Sequence, residues 1–138
     1  MIAVADTSFI VALENKFDQH HGRCLSVFEQ EKLIYMPQSV LNEVCYLLTK
    51  SGGNRATVSF LSRLPNMNLL LLPSQPDDIA RTTELLDKYA DTRVDFVDAT
   101  VAAVAERLNV TRILTLDQRD FQILRPRHVD HFELLPQS

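Results

Sequence analysis

The chain alternates short apolar runs with longer stretches of helical spacing, and that alternation admits few folds. Ile2–Ala5, Lys32–Met36, Asn68–Leu72, Arg112–Leu116 and Phe132–Leu135 read as strands. The segments between them read as helices, running from Thr7 or Ser8 to about Glu14, then roughly Gln19–Glu31, Val40–Lys50, Arg55–Leu64, Asp77–Tyr89 and Asp95–Leu108. Ser39 is placed to cap the third of these, and Gly52-Gly53 to terminate it. Strands separated by helices require right-handed crossovers, so the expected fold class is α/β, a five-stranded, mostly parallel sheet with helices on both faces. The 138 residues hold no repeat and no linker, which predicts a single domain over 1–138.

With 46% hydrophobic residues the chain can build a core. A formal net charge of −4 argues against a basic nucleic-acid coat protein, although a local basic rim can sit on an acidic molecule. Cys24 and Cys45 lack CxxC spacing and are too few for a thiolate zinc site. Both are expected to be buried free thiols in a cytoplasmic protein. The apolar start, MIAVADTSFIVAL, lacks a basic segment and is broken by Asp6, so it reads as a buried strand, not a signal peptide. No run approaches the roughly 20 apolar residues that span a bilayer, so no membrane partner is expected.

Parallel sheets bind ligands beyond the carboxyl ends of their strands. Asp6 directly follows the first predicted strand, and Asp117 the fourth, in ILTLD. Glu43 lies one turn into the helix after strand two, and Asp95 and Asp98 open the helix before strand four. Topology can bring these acids to one rim, where mutual repulsion is relieved by a divalent cation. Oxygen ligands without a His or Cys set point to Mg²⁺ or Mn²⁺. Each acid also has a structural reading. Asp6 can cap the following helix, Asp95 and Asp98 have capping-box spacing, Glu43 can be a solvated flank, and Asp117 can start a turn.

VADTSFIVAL, PQSVLNEVCYLL, VDFVDATVAAVAERL, ILTLDQRDF and the closing RPRHVDHFELLP together resemble the PIN-domain family, in particular its VapC-type toxin nucleases, over about Ile2–Pro136. The resemblance implies a PIN-like three-layer sandwich and metal-dependent endonucleolytic cleavage of RNA. It assigns Asp6, Glu43, Asp98 and Asp117 to the four family acids and Asp95 to an additional one that acts as ligand, through water, or only as cap. Thr7 or Ser8 matches the small hydroxyl residue that orients the site. The implied chemistry is in-line attack of metal-activated water, leaving 5′-phosphate and 3′-hydroxyl ends. The implied partners are an RNA substrate, a VapB-like antitoxin and a second copy of the chain in a homodimer. An RNA-processing nuclease without toxin role, and a non-catalytic PIN-like RNA- or protein-binding module, are the alternatives. A receiver-like phosphate-transfer domain ranks last, since it needs an acidic pair after the first strand and a suitably placed lysine.

Arg119, two residues after Asp117, is a candidate RNA-backbone contact, and Arg93, Lys50 and Arg55 are candidates for a basic rim. His20-His21 and His128-x-x-His131 are read as surface or capping histidines, not zinc ligands.

Overall fold

The first strand, Ile2–Ala5 (β1), is apolar throughout, and Ala3, Val4 and Ala5 are fully buried. Such a run suits the centre of a parallel sheet covered on both faces. In the computed structural model, which describes residues 1–137, β1 does lie at the centre. Leu33–Pro37 (β2), Leu69–Leu72 (β3), Arg112–Leu114 (β4) and Glu133–Leu135 (β5) complete a sheet of order β3-β2-β1-β4-β5. Every neighbouring pair is parallel, so the sheet is wholly rather than mostly parallel.

The chain winds outward from β1 to β3, returns across the sheet, and continues through β4 to β5. Right-handed connections then place the helices of the first half on one face and those of the second half on the other. Thr7–Glu14 (α1), His21–Gln30 (α2) and Gln38–Arg63 (α3) belong to the first group, and α1 packs on both α2 and α3. Pro76–Lys88 (α4), Phe96–Leu108 (α5) and Gln118–Ile123 (α6) belong to the second, in which α4 packs on α5. Residues Asp98–Ala105 of α5 are all buried, and their many alanines allow a close approach to β1, β2 and α4. No helix among the described residues is long and apolar enough to cross a membrane.

Gly52-Gly53 does interrupt the helix where expected: Gly53 adopts φ 72°, ψ −178°, a non-helical conformation that kinks α3 and divides it into two helical stretches. Several local expectations change. Ser39 does not cap α3, which begins at Gln38; its hydroxyl instead meets that of Thr100 at 2.6 Å and joins α3 to α5. Strand β4 ends at Leu114, so Asp117 lies three residues beyond it, at the N-cap position of α6. Cys24 is buried, whereas Cys45 is only half-buried, and both are free thiols.

The glycines give a stability test with opposite signs. Gly53→Ala forces a side chain into a conformation reserved for glycine and is expected to cost about 1–3 kcal/mol. Gly22→Ala, in α2 with open space around the added methyl, is expected to gain about 0.4–1 kcal/mol. Urea unfolding of both variants measures the two changes.

Candidate active site

The reversal of strand order lies between β1 and β4, where Val4 and Ala5 pair with Ile113 and Leu114. Such a crevice is where doubly wound sheets hold their ligands. The Asp6 N–H donates to the carbonyl of Leu114 at 2.9 Å, extending the pairing by one step and setting Asp6 at the rim. A cavity of about 450 Å³ opens there. Its walls include Asp6, Glu43, Asp95, Asp98 and Asp117, so acids from distant parts of the chain do meet. Thr7 and Ser8 line it too, as does Asp18 from the α1–α2 loop, which the sequence did not single out.

Asp6 is buried at the start of α1. One of its oxygens accepts a hydrogen bond from the Thr115 hydroxyl at 2.8 Å, with Ser8 Oγ 3.5 Å away. Burial pushes its carboxyl up to about 6 against the pull of the Thr115 bond, and the charges of Glu43 and Asp117 push in the same direction. Asp98 is buried in the first turn of α5. Burial, followed by the crowding of Asp95, Asp6 and Asp120, holds it well above the ordinary carboxylate range. Its Oδ2 accepts the Asp95 N–H at 3.1 Å, while Asp95 Oδ1 accepts the Asp98 N–H at 2.9 Å. This is a complete capping box, so Asp95, itself exposed, has a structural task independent of any ligand. Asp117 is also raised, by burial and then by its contact with Asp120; Arg93 and Arg119 pull the other way.

Thr115 is the residue that the sequence reading missed. Besides bonding Asp6, its hydroxyl oxygen accepts the Asp117 N–H at 3.0 Å and meets Ser8 Oγ at 3.2 Å. Ser8 Oγ in turn accepts the Leu116 N–H at 2.9 Å. These contacts lock the two strand ends together, with Ser8 tying the loop and Thr7 free of such a bond. The signal was the hydroxyl residue two positions before Asp117, within the otherwise apolar run 113–116. Asp120 was missed as well; it is buried, and Arg93 Nε lies 3.0 Å from its Oδ1. Arg93 is thus committed to an internal acid, while Arg119 is exposed beside Asp117. Arg112 sits away from the cavity, between Glu31 and Glu133.

The donors around the cavity are carboxylate and hydroxyl oxygens, the set that a hard divalent cation takes. Thr7 Oγ1 is buried without a partner, and the raised carboxyls would ionise beside a positive charge. Among the described residues no three His, Cys, Asp or Glu side chains stand close enough to grip an ion together. The acids fit a cation reached partly through water, the habit of Mg²⁺, better than one held in a closed protein cage. The histidines are engaged elsewhere: His21 Nδ1 meets the Ala12 carbonyl and His128 Nε2 that of Val110.

Comparison with known proteins agrees with this fold. The chain is similar to Ribonuclease VapC26 of Mycobacterium tuberculosis, 27% identical over 135 residues that span 96% of this chain and 99% of that protein. The crystal structure of VapC20 of the same organism, a sarcin-ricin loop cleaving toxin, matches with a TM-score of 0.77 and 26% identity, covering 83% of this chain and 89% of that one. VapBC2 of Rickettsia felis, solved bound to a promoter DNA fragment, shares the fold at a TM-score of 0.72 and 20% identity, over 99% of this chain and all (100%) of that one. The PIN domain model matches residues 3–125, and by that match the chain belongs to the PIN domain family.

Proposed function

We propose that this chain is a divalent-metal-dependent endoribonuclease and the toxin of a VapBC-type toxin–antitoxin pair, working through Asp6, Glu43, Asp98 and Asp117 with Mg²⁺ or Mn²⁺. The observation that carries the reading is the meeting of these acids in one cavity at the strand-order reversal, with Asp6 and Asp98 buried and raised. Family membership and the likeness to a named ribonuclease support it. RNA is the proposed substrate, a VapB-like antitoxin the proposed inhibitor, and a homodimer in the cytoplasm the proposed working form, with one nuclease domain over 1–138.

A bound Mg²⁺ or Mn²⁺ supplies a nucleophilic water at neutral pH and neutralises charge gathering on the phosphate. The protein does the placing. Asp6, Asp98 and Asp117 would hold the cation, with Glu43 lining the same cavity from α3. Thr115 and Ser8 keep the strand ends in register, and Asp95 fixes the turn that presents Asp98. Arg119 stands at the rim as a backbone-phosphate contact, and Arg93, paired with Asp120, serves that role less directly. With hydrolysis by water, the products carry 5′-phosphate and 3′-hydroxyl ends.

Incubation of the purified chain with structured RNA tests the reading. Cleavage is expected in Mg²⁺ or Mn²⁺, none in EDTA, and none by Asp6→Asn or Asp98→Asn; cleavage at the wild-type rate by Asp6→Asn would reject the assignment. Asp95→Ala should lose about 1 kcal/mol of stability with the cap, whereas Asp95→Ser keeps the cap. If Asp95→Ser also retains full cleavage, Asp95 is a cap alone.

The pH dependence follows from burial. Asp6 holds its proton more tightly folded than unfolded, so the metal-free protein loses stability as pH rises from about 3.8 through about 6, by roughly 3 kcal/mol. Asp98 acts in the same direction. Thermal unfolding in EDTA is therefore expected to show a falling midpoint across that window, and a higher midpoint for Asp6→Asn at pH 7. Adding Mn²⁺ should raise the wild-type midpoint and release protons, detectable by calorimetry in buffers of different ionisation enthalpy.

A further inference from the structure

The helix that follows β4 is too short to hold itself. Isolated helices of fewer than about 12 residues are marginal in water, and α6 has six. Its N-cap is Asp117, whose side chain makes no capping bond. That side chain lines the cavity instead. The element that presents one of the acids must therefore be fixed from outside.

Two contacts from one loop help to fix it. Residues 89–95 join α4 to α5. In the first turn of α6, Arg93 Nε lies 3.0 Å from Asp120 Oδ1. Just past its other end, the Arg125 N–H donates to the Tyr89 hydroxyl at 3.0 Å. The loop is itself ordered. The Thr92 hydroxyl donates to the Tyr89 carbonyl at 2.7 Å and accepts the Val94 N–H at 3.2 Å, and Val94 is buried. Asp95 then begins the capping box that presents Asp98. Arg93 thus ties the turn that leads into Asp98 to the turn that follows Asp117.

The Asp120 end of this tie is internal. Its side chain is 4% exposed, that of Arg93 53%. Asp120 touches Asp117, and its charge reaches Asp98. The dipole of α6 accounts for an acid in its first turn, but not for the burial of that acid. A buried carboxylate calls for a partner charge, and Arg93 supplies it. Asp120 Oδ1 accepts no aligned hydrogen bond, so the contact is one of charge rather than of guanidinium geometry. A rim arginine that served only RNA phosphates would turn its charge outward, whereas Arg93 brings Nε in to a buried acid.

We propose that Arg93 is a positioning residue: paired with Asp120, it straps α6 to the start of α5 and so fixes Asp117 relative to Asp98 before a cation arrives. This rests on the nuclease reading, and adds to it a residue that acts through Asp117 rather than on the reacting atoms. Partners behind a metal-binding side chain orient it, and their loss is felt in metal affinity and in turnover together.

The test compares the whole chain with Arg93→Gln, Arg93→Lys, Arg119→Gln, and Arg93→Gln combined with Asp120→Asn. Mn²⁺ binding without RNA is read by electron paramagnetic resonance, and kcat and KM by RNA cleavage in Mg²⁺. Arg93→Gln is expected to lower kcat and weaken Mn²⁺ binding, each roughly 10- to 100-fold, with KM little changed. Arg93→Lys keeps the charge and should restore most of both. Arg119→Gln, at the rim, should raise KM and leave Mn²⁺ binding alone. Should Arg93→Gln fail to fold because Asp120 has lost its partner, the double variant removes that charge, and the same losses are expected of it. Unchanged Mn²⁺ binding and kcat in the folded variants at position 93, alone or with a raised KM, refute the strap; if Asp6→Asn is inactive in the same assay, the nuclease reading stands. If the wild type binds Mn²⁺ but cleaves nothing, while Arg93→Gln weakens that binding and Arg93→Lys restores it, the strap stands and the nuclease reading fails. If the wild type neither binds Mn²⁺ nor cleaves RNA, both fall.

Discussion

Carboxylates crowded into a partly dried space repel one another, and the fold has to supply the force that keeps them together. That force is the parallel pairing of β1 with β4, reinforced at its end by one hydroxyl group. Asp6 and Asp117 leave their strands at the same edge because Ala5 and Leu114 are in register. Thr115 then donates to the carboxylate of one and accepts from the backbone of the other. Without this pairing the acids would drift apart to lower their own energy, and the cavity would have no reason to exist.

The opposite edge of the sheet shows the contrary arrangement. Arg112, on β4, bonds Glu31 at 2.6 Å and Glu133 at 3.1 Å, and Glu31 is buried. A further set joins Arg81 to Glu106 and Arg107 to Asp78 between α4 and α5. Breaking such a buried pair leaves a charge without a partner, which is strongly unfavourable. Satisfied charge is thus gathered away from the cavity, and unsatisfied charge within it. The separation suits a molecule that must be firm as a whole and reactive at one place.

Much of this was legible in the sequence, for identifiable reasons. An apolar run buried on both faces leaves little choice but a central parallel strand, and the rule for strand ends then turns Asp6 and Asp117 into a prediction about space. Asp95 and Asp98 were legible as a capping box because that motif is local. What escaped depended on tertiary context. Thr115 looks like any β-branched strand residue until Asp6 is known to face it. Asp18 sits in a loop with no periodicity to read, and the six residues of α6 are too few to show one. Gly52-Gly53 was legible because a glycine break is a local signal, and α3 is interrupted at Gly53.

The order of the acids along the chain has a consequence for biosynthesis. Asp6 emerges from the ribosome early, but its partners at 98 and 117 follow after most of the polypeptide, and β4 must form before β1 has its second neighbour. A nascent chain therefore carries the first acid without the constellation. The acidic wall of the cavity is therefore complete only once translation has passed Asp117.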